Sequence, residues 1–204
     1  MAWKDLTPKT FASIRELNGI SARTQEEHYE LYKGYVGKVN EIQKKLDAVD
    51  RTTANQIFSD LRALRIDYSF AIGGMKNHEI FFGHLGGKGG APSGKLKEQI
   101  ARDFPSYDAW LADFKASGLA ARGWVWLAYD HDLSMLTTVL GDAQNTFPLW
   151  NATPILALDV YEHAYWLDYG RARAKYIDAF FNNLDWNAVA ANLDRALSMQ
   201  PAAK

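Results

Sequence analysis

In the first half of the chain, apolar and aromatic positions recur at helical spacing. Within "SARTQEEHYELYKGYVGKVNEIQKKLDAV", Tyr32, Tyr35, Val36, Val39 and Ile42 fall on one stripe, and Ser21 stands where an N-cap accepts the first free amides. A second helix is predicted from near Asp50, through "DRTTANQIFSDLRALRIDYSFAIGG", with "MKNHEIFFGHL" continuing or following it. The pattern breaks at "GGKGGAPSG", residues 86–94, a turn or linker that sets the expected boundary between segments 1–88 and 89–204. Two shorter helical stretches follow, "KLKEQIARDF" and "SYDAWLADFKASGLAA", the second opened by Ser106. The pattern then becomes β: "GWVWLAYDHDLSMLTTVL" predicts two strands around a turn at Asp130–Asp132, and "TPILALDV" a third. The C-terminus returns to helix, with Asp185 capping "WNAVAANLDRALS". The expected fold class is α+β: an N-terminal helical hairpin domain, then a domain with a small three-stranded antiparallel sheet flanked by helices.

Composition narrows the function classes. The 204 residues carry a formal net charge of −1, which argues against a general nucleic-acid binder. There are 0 cysteines, so disulfides, thiolate metal sites and cysteine nucleophiles are excluded. No secretory signal or membrane-length apolar run is visible, and a cytoplasmic location is the default expectation. "GGAPSGK", residues 89–95, matches a phosphate-loop skeleton, but Leu96 stands where the Mg²⁺-binding hydroxyl belongs and Pro92 removes an amide donor. A flexible linker is the better reading of that stretch.

The chain has 5 histidines. His131 sits between two aspartates in a predicted turn and reads as exposed, and His84, six residues after His78, falls on another side of the helix. His28, His78 and His163 lie in apolar and aromatic settings, where a buried imidazole needs partners for its nitrogens. With Asp159 they make a three-imidazole, one-carboxylate set of the kind that suits Mn, Fe or Zn. Spacing alone does not show that the four meet.

"DVYEHAYWLDY" resembles the D-x-W-E-H-A-Y-Y signature of the iron/manganese superoxide dismutases. "NHEIFF" (77–82), "GWVWL" (123–127), the first helix around "HYELYKGYV" and the closing "LDWNAVAANL" resemble further motifs of that family, in family order and over nearly the whole chain. The resemblance implies one Mn or Fe ion per subunit held by His28, His78, Asp159 and His163, with superoxide as substrate; charge and the lack of a membrane-length apolar run set the expectation of no nucleic-acid or membrane partner. It implies that Tyr35 is the gateway tyrosine and that Trp124, Trp126 and Phe82 form a dry wall. Glu162 is implied to bond the ligand histidine of a partner subunit in a homodimer, with a tetramer as a further assembly. Arg173, Lys33 and Arg171 are candidates for drawing in the anion. The family's metal-tuning glutamine lies four residues before the second ligand in iron-type members, where this chain has Gly74. Gln144, in "GDAQNTF", matches the manganese-type layout, so Mn is favoured and dual-metal use stays open.

The chain departs from the family at four residues and in one spacing. Tyr32 stands where a second histidine is expected and Trp166 where its cross-dimer tyrosine is expected, while Tyr161 and Phe82 each replace a tryptophan. His28 and Tyr35 are seven residues apart, one fewer than usual, which keeps them on one helical face and suggests a lost π-bulge. Two other readings stand beside the dismutase: a non-enzymatic metal-binding homologue of the same fold, and a non-haem iron oxygenase, against which the fourth ligand argues.

Overall fold

The structure, a computed structural model, describes residues 3–199. Helices α1 (Ala22–Ala48) and α2 (Asp60–Gly83) form an antiparallel hairpin. The Ser21 hydroxyl accepts from Thr24 N at 3.1 Å, the cap its sequence position predicts. The second helix begins later than the sequence pattern suggests. Residues 50–59 form a bent loop because Asn55 Oδ1 takes the amides of Ile57 (2.8 Å) and Phe58 (3.3 Å), and Ser59 then caps α2 through Arg62 N. The segment around His78 continues this helix without a break.

The glycine-rich stretch after α2 is fastened to the body of the molecule. Gly86 N and Gly87 N both donate to Asn183 O at 2.9 Å, and Gly90 O accepts from Trp186 Nε1 (3.0 Å) and Tyr107 OH (3.2 Å). This is a tethered turn rather than the flexible linker expected from composition. Helices α3 (Gly94–Asp103) and α4 (Tyr107–Ala120) follow, the latter capped by Ser106.

Strands β1 (Trp124–Asp130), β2 (Met135–Gly141) and β3 (Ala152–Asp159) form one antiparallel sheet in the order β2-β1-β3. The central strand β1 is buried along its whole length, which explains its nearly unbroken apolar run. Between β1 and β3 the register shifts: Leu127 faces Leu156 and Ala128 faces Pro154, leaving Ile155 as an extra residue. A 3₁₀ turn (Glu162–Ala164), a short helix α5 (Trp166–Tyr169), α6 (Arg173–Asn182) and α7 (Trp186–Ser198) complete the chain. One apolar cluster runs from Tyr32, Val36 and Phe82 of the hairpin through Trp124, Trp126 and Ile155 of the sheet to Phe180 and Val189. A second, small cluster of Val39, Ile42, Leu46 and Ala71 closes the far end of the hairpin. The predicted α+β class and the three-stranded sheet are both present. Among the described residues no helix is long and apolar enough to cross a membrane.

Candidate metal centre

Four side chains from four separate places meet where the hairpin abuts the sheet. His28 comes from the second turn of α1 and His78 from the last third of α2. Asp159 ends β3, and His163 sits in the 3₁₀ turn just beyond it. One ligand atom from each lies within 4.8 Å of all the others. Three imidazoles converge on a single oxygen: Asp159 Oδ2 is 3.1 Å from His28 Nε2, 3.1 Å from His163 Nε2 and 3.5 Å from His78 Nε2. The other carboxylate oxygen accepts from Tyr161 N at 2.9 Å, which fixes the plane of the group. Asp159 and His78 are 0% exposed and His28 1%, whereas the His163 side chain is 26% exposed, so the cluster opens to solvent on the His163 side.

The donor set suits a cation. His78 Nδ1 lies 2.6 Å from Gly74 O, and a carbonyl only accepts, so Nδ1 carries the proton. Burial, reinforced by the neighbouring His28, pushes the His78 pKa down to about 3, so the ring is neutral at ordinary pH and its Nε2 lone pair is bare. That nitrogen is buried without a hydrogen-bond partner, an orphan aimed into the cluster. Burial also lowers the His28 pKa, against the pull of Asp159. For Asp159, burial favours the neutral acid, but the His163 imidazole and then His28 outweigh it and hold the carboxyl well below the usual carboxylate range. At His163 burial works against the charged ring, but the Asp159 carboxylate outweighs it and raises the pKa. Three imidazole nitrogens and one anionic oxygen around an orphaned lone pair fit a first-row divalent or trivalent ion. His84 and His131 lie outside the cluster. His84 is fully buried, and His131 is half-buried with its Nε2 2.8 Å from Thr153 Oγ1 rather than exposed as its turn setting suggests.

A ring of aromatic and amide groups backs the four. The His78 ring is edge-on to Trp124 at 5.2 Å, and the His28 ring lies 4.9 Å from Phe82. Gln144 links the sheet side to the helix side: its Oε1 accepts from Trp124 Nε1 at 3.0 Å and its Nε2 donates to Tyr35 OH at 3.3 Å. Its backbone is held as well, since Asn77 Nδ2 donates to Gln144 O at 3.0 Å and Asn77 Oδ1 accepts from Trp126 Nε1 at 3.3 Å. At Gly74, where an iron-type layout has its glutamine, a Cβ would lie 2.8 Å from the Tyr35 ring. At Gly73 it would lie 2.2 Å from Gln144 O. The tyrosine ring and the Gln144 backbone therefore occupy the room that side chains there would need.

The departures noted in the sequence have a local account. Helix α1 is α-helical throughout, so the seven-residue step from His28 to Tyr35 is close to two turns. It brings the Tyr35 ring to 5.4 Å from that of His78. Tyr32 is fully buried and engaged within its own chain: its OH accepts from Lys9 N at 2.9 Å and donates to Glu79 Oε1 at 3.1 Å. Tyr161 stacks on His163 at 5.3 Å. Glu162 is exposed beside His163, next to Trp166 and Leu167, which are 47% and 51% exposed. Of the proposed anion-drawing cations, Arg173 is taken up structurally: it donates to Tyr165 OH (3.1 Å) and to Ala121 O (2.8 Å). Lys33 pairs with Glu30 and lies over the Tyr29 ring.

Residues 92–192 match the family model described as "Iron/manganese superoxide dismutases, C-terminal domain". The chain is 41% identical to the protein named superoxide dismutase [Fe] of Aquifex pyrophilus, covering 98% of this chain and 96% of that one. It is 37% identical to superoxide dismutase [Mn] 1 of Haloferax volcanii over 88% of this chain and 90% of the relative. It is 38% identical to superoxide dismutase [Fe] of Cupriavidus metallidurans over 89% and 92%.

Proposed function

The chain belongs to the iron/manganese superoxide dismutases, and from that premise we propose how it works: it converts superoxide to O₂ and H₂O₂ at the His28, His78, Asp159 and His163 centre. The observation that carries this reading is the convergence of three histidine nitrogens on Asp159 Oδ2 in a buried setting. When bound there, one Mn or Fe ion cycling between +3 and +2 supplies the electron transfer, which Zn²⁺ does not.

The residues divide the remaining work. Asp159 brings the negative charge that favours the higher oxidation state. The exposed edge of His163 marks the side from which the anion enters, and Tyr161, stacked on that ring, lines the approach. Burial pushes the Tyr35 pKa up to about 12, so its OH keeps its proton. Because that oxygen accepts from Gln144 Nε2, its own hydrogen is available for donation towards substrate. Gln144, pinned by Trp124 and Asn77, holds an amide hydrogen at a fixed place beside the cluster. Trp124, Trp126 and Phe82 keep water from the buried side.

For the metal we favour Mn, on the placement of Gln144 and the crowding at Gly74, with Fe as the other competent ion; the relatives bear both metals in their names. The division into 1–88 and 89–204 puts two ligands on each side. The exposed Glu162 with Trp166 and Leu167 supports a homodimer formed across that face, with a cytoplasmic setting as the default. The buried group of three histidines and one aspartate supports the enzyme over a non-enzymatic homologue.

The test is superoxide consumption by apo-protein reloaded separately with Mn and with Fe, with metal content measured on the same samples. High turnover per bound Mn is expected. Full occupancy without turnover in either form contradicts the reading, and sedimentation as a monomer in the metal-loaded form contradicts the dimer.

A further inference from the structure

We propose that His84 is a positioning residue for the metal centre: its imidazole ties helix α2, which carries His78, to strand β3, which carries Asp159, and so sets the distance between two ligands. This role rests on the function proposed above.

Strand β3 is one of the two outer strands of the sheet, so the backbone groups on one of its edges have no neighbouring strand. Side chains take their place. His84 Nε2 accepts from Ala157 N at 3.1 Å, Asn192 Nδ2 donates to Ile155 O at 3.0 Å, and Tyr176 OH donates to Asp159 O at 2.8 Å. The three bonds fall on alternate residues, as the period of a strand edge demands. They begin at the extra residue Ile155 and end at the ligand itself.

Asn192 and Tyr176 lie on α7 and α6. Only His84 comes from a ligand-bearing element. It follows α2 directly, six residues after His78, and its backbone O accepts from Asp185 N at 2.8 Å. The ring is 0% exposed, with Phe81 and Phe180 beside it. A backbone amide only donates, so Nε2 must be the bare nitrogen. Burial keeps the ring neutral, and Nδ1 has no hydrogen-bond partner. The imidazole thus makes one directional bond, to the residue two before Asp159. A histidine that served packing alone has no need of this acceptor.

The experiment uses the full-length, metal-loaded protein and three variants. Gln places its amide oxygen near the position of Nε2, whereas Leu removes the acceptor and Asn carries the same amide one carbon short. Metal release into excess chelator and the visible absorption of the Mn-loaded form are measured for each. H84L is expected to release metal about tenfold faster, with a displaced absorption band, and H84Q to return both to near the parent values. Where H84L does not fold, H84N takes its place with the same expectation. Release at the parent rate by the acceptor-less variant overturns the proposal. Equal acceleration in Gln and in the acceptor-less variant also overturns it, since ring shape rather than the bond would then matter. A parent protein that binds neither Mn nor Fe removes the dismutase reading itself, a result distinct from a parent that holds metal while every variant behaves like it.

Discussion

The two helical residues of the proposed metal centre and the two at and beyond the end of the sheet are held in different ways. His28 and His78 sit inside α1 and α2, where each backbone position is fixed by the helix and by packing of one long helix on the other. Asp159 sits at the last residue of an outer strand, and His163 in a three-residue 3₁₀ turn, where cooperative backbone bonding is sparse. Individual side chains make up the difference: Tyr176 on Asp159 O, Asn192 on Ile155 O, His84 on Ala157 N. A centre built this way has one redundantly fixed half and one half that depends on a few named bonds. Single substitutions behind the strand half should therefore move the chemistry more than equally conservative ones behind the helix half.

The largest effect is expected from Asp159→Ala. It removes the oxygen on which all three nitrogens converge, and metal retention should fall by more than the roughly hundredfold that outer partners commonly cost; metal content after dialysis checks it. Gln144→Ala comes next. It frees Trp124 Nε1 and Tyr35 OH together, and activity per bound metal should drop about 10- to 100-fold with metal content unchanged. Full activity per metal in that variant contradicts the assigned role. On the helix side, Gly74→Ala drives a methyl into the Tyr35 ring and should cost about 1–3 kcal/mol in thermal or denaturant unfolding. Tyr176→Phe should cost about 1 kcal/mol while shifting metal release measurably, because its bond reaches the ligand residue. If Gly74→Ala disturbs metal release more than Tyr176→Phe, the contrast between the halves fails.

A pH series adds an effect of known sign. His78 and His84 are held neutral, with pKa values pushed down by burial to about 3 from 6.5. Between those values the unfolded chain binds protons that the native apo-protein refuses. Native stability is then complete above about pH 6.5 and declines as pH falls towards 3, by at most about 1.4 kcal/mol per pH unit for each histidine. Denaturant titrations of the apo-protein from pH 7 to pH 4 check this, and stability that rises on acidification contradicts it.

Legibility followed the same divide. The α1 stripe and the caps Ser21, Ser106 and Asp185 were readable because helix signals are local, and the three strands because their runs are bounded by turns. The four residues of the candidate metal cluster were singled out through a family resemblance, not through spacing, and the structure brings them together. The start of α2 was misplaced because the Asn55 side chain takes the amides that an earlier helix would have used. A helical wheel correctly separates His84 from His78, but it cannot show that the edge of β3 passes beside that ring. Likewise no local pattern reveals that Arg173 is bound by Tyr165 and Ala121, or that Gly90 is clasped by Trp186 and Tyr107. These are long-range pairings of single groups.

The central claim is that one redox metal is shared by the helix half and the strand half. X-ray anomalous scattering from crystals of the metal-loaded protein, collected at the Mn and Fe edges, tests it most directly. The account predicts one peak per chain, within coordinating distance of His28 Nε2, His78 Nε2, His163 Nε2 and Asp159 Oδ2. A peak elsewhere, or one reached by only the two helical histidines, would contradict it.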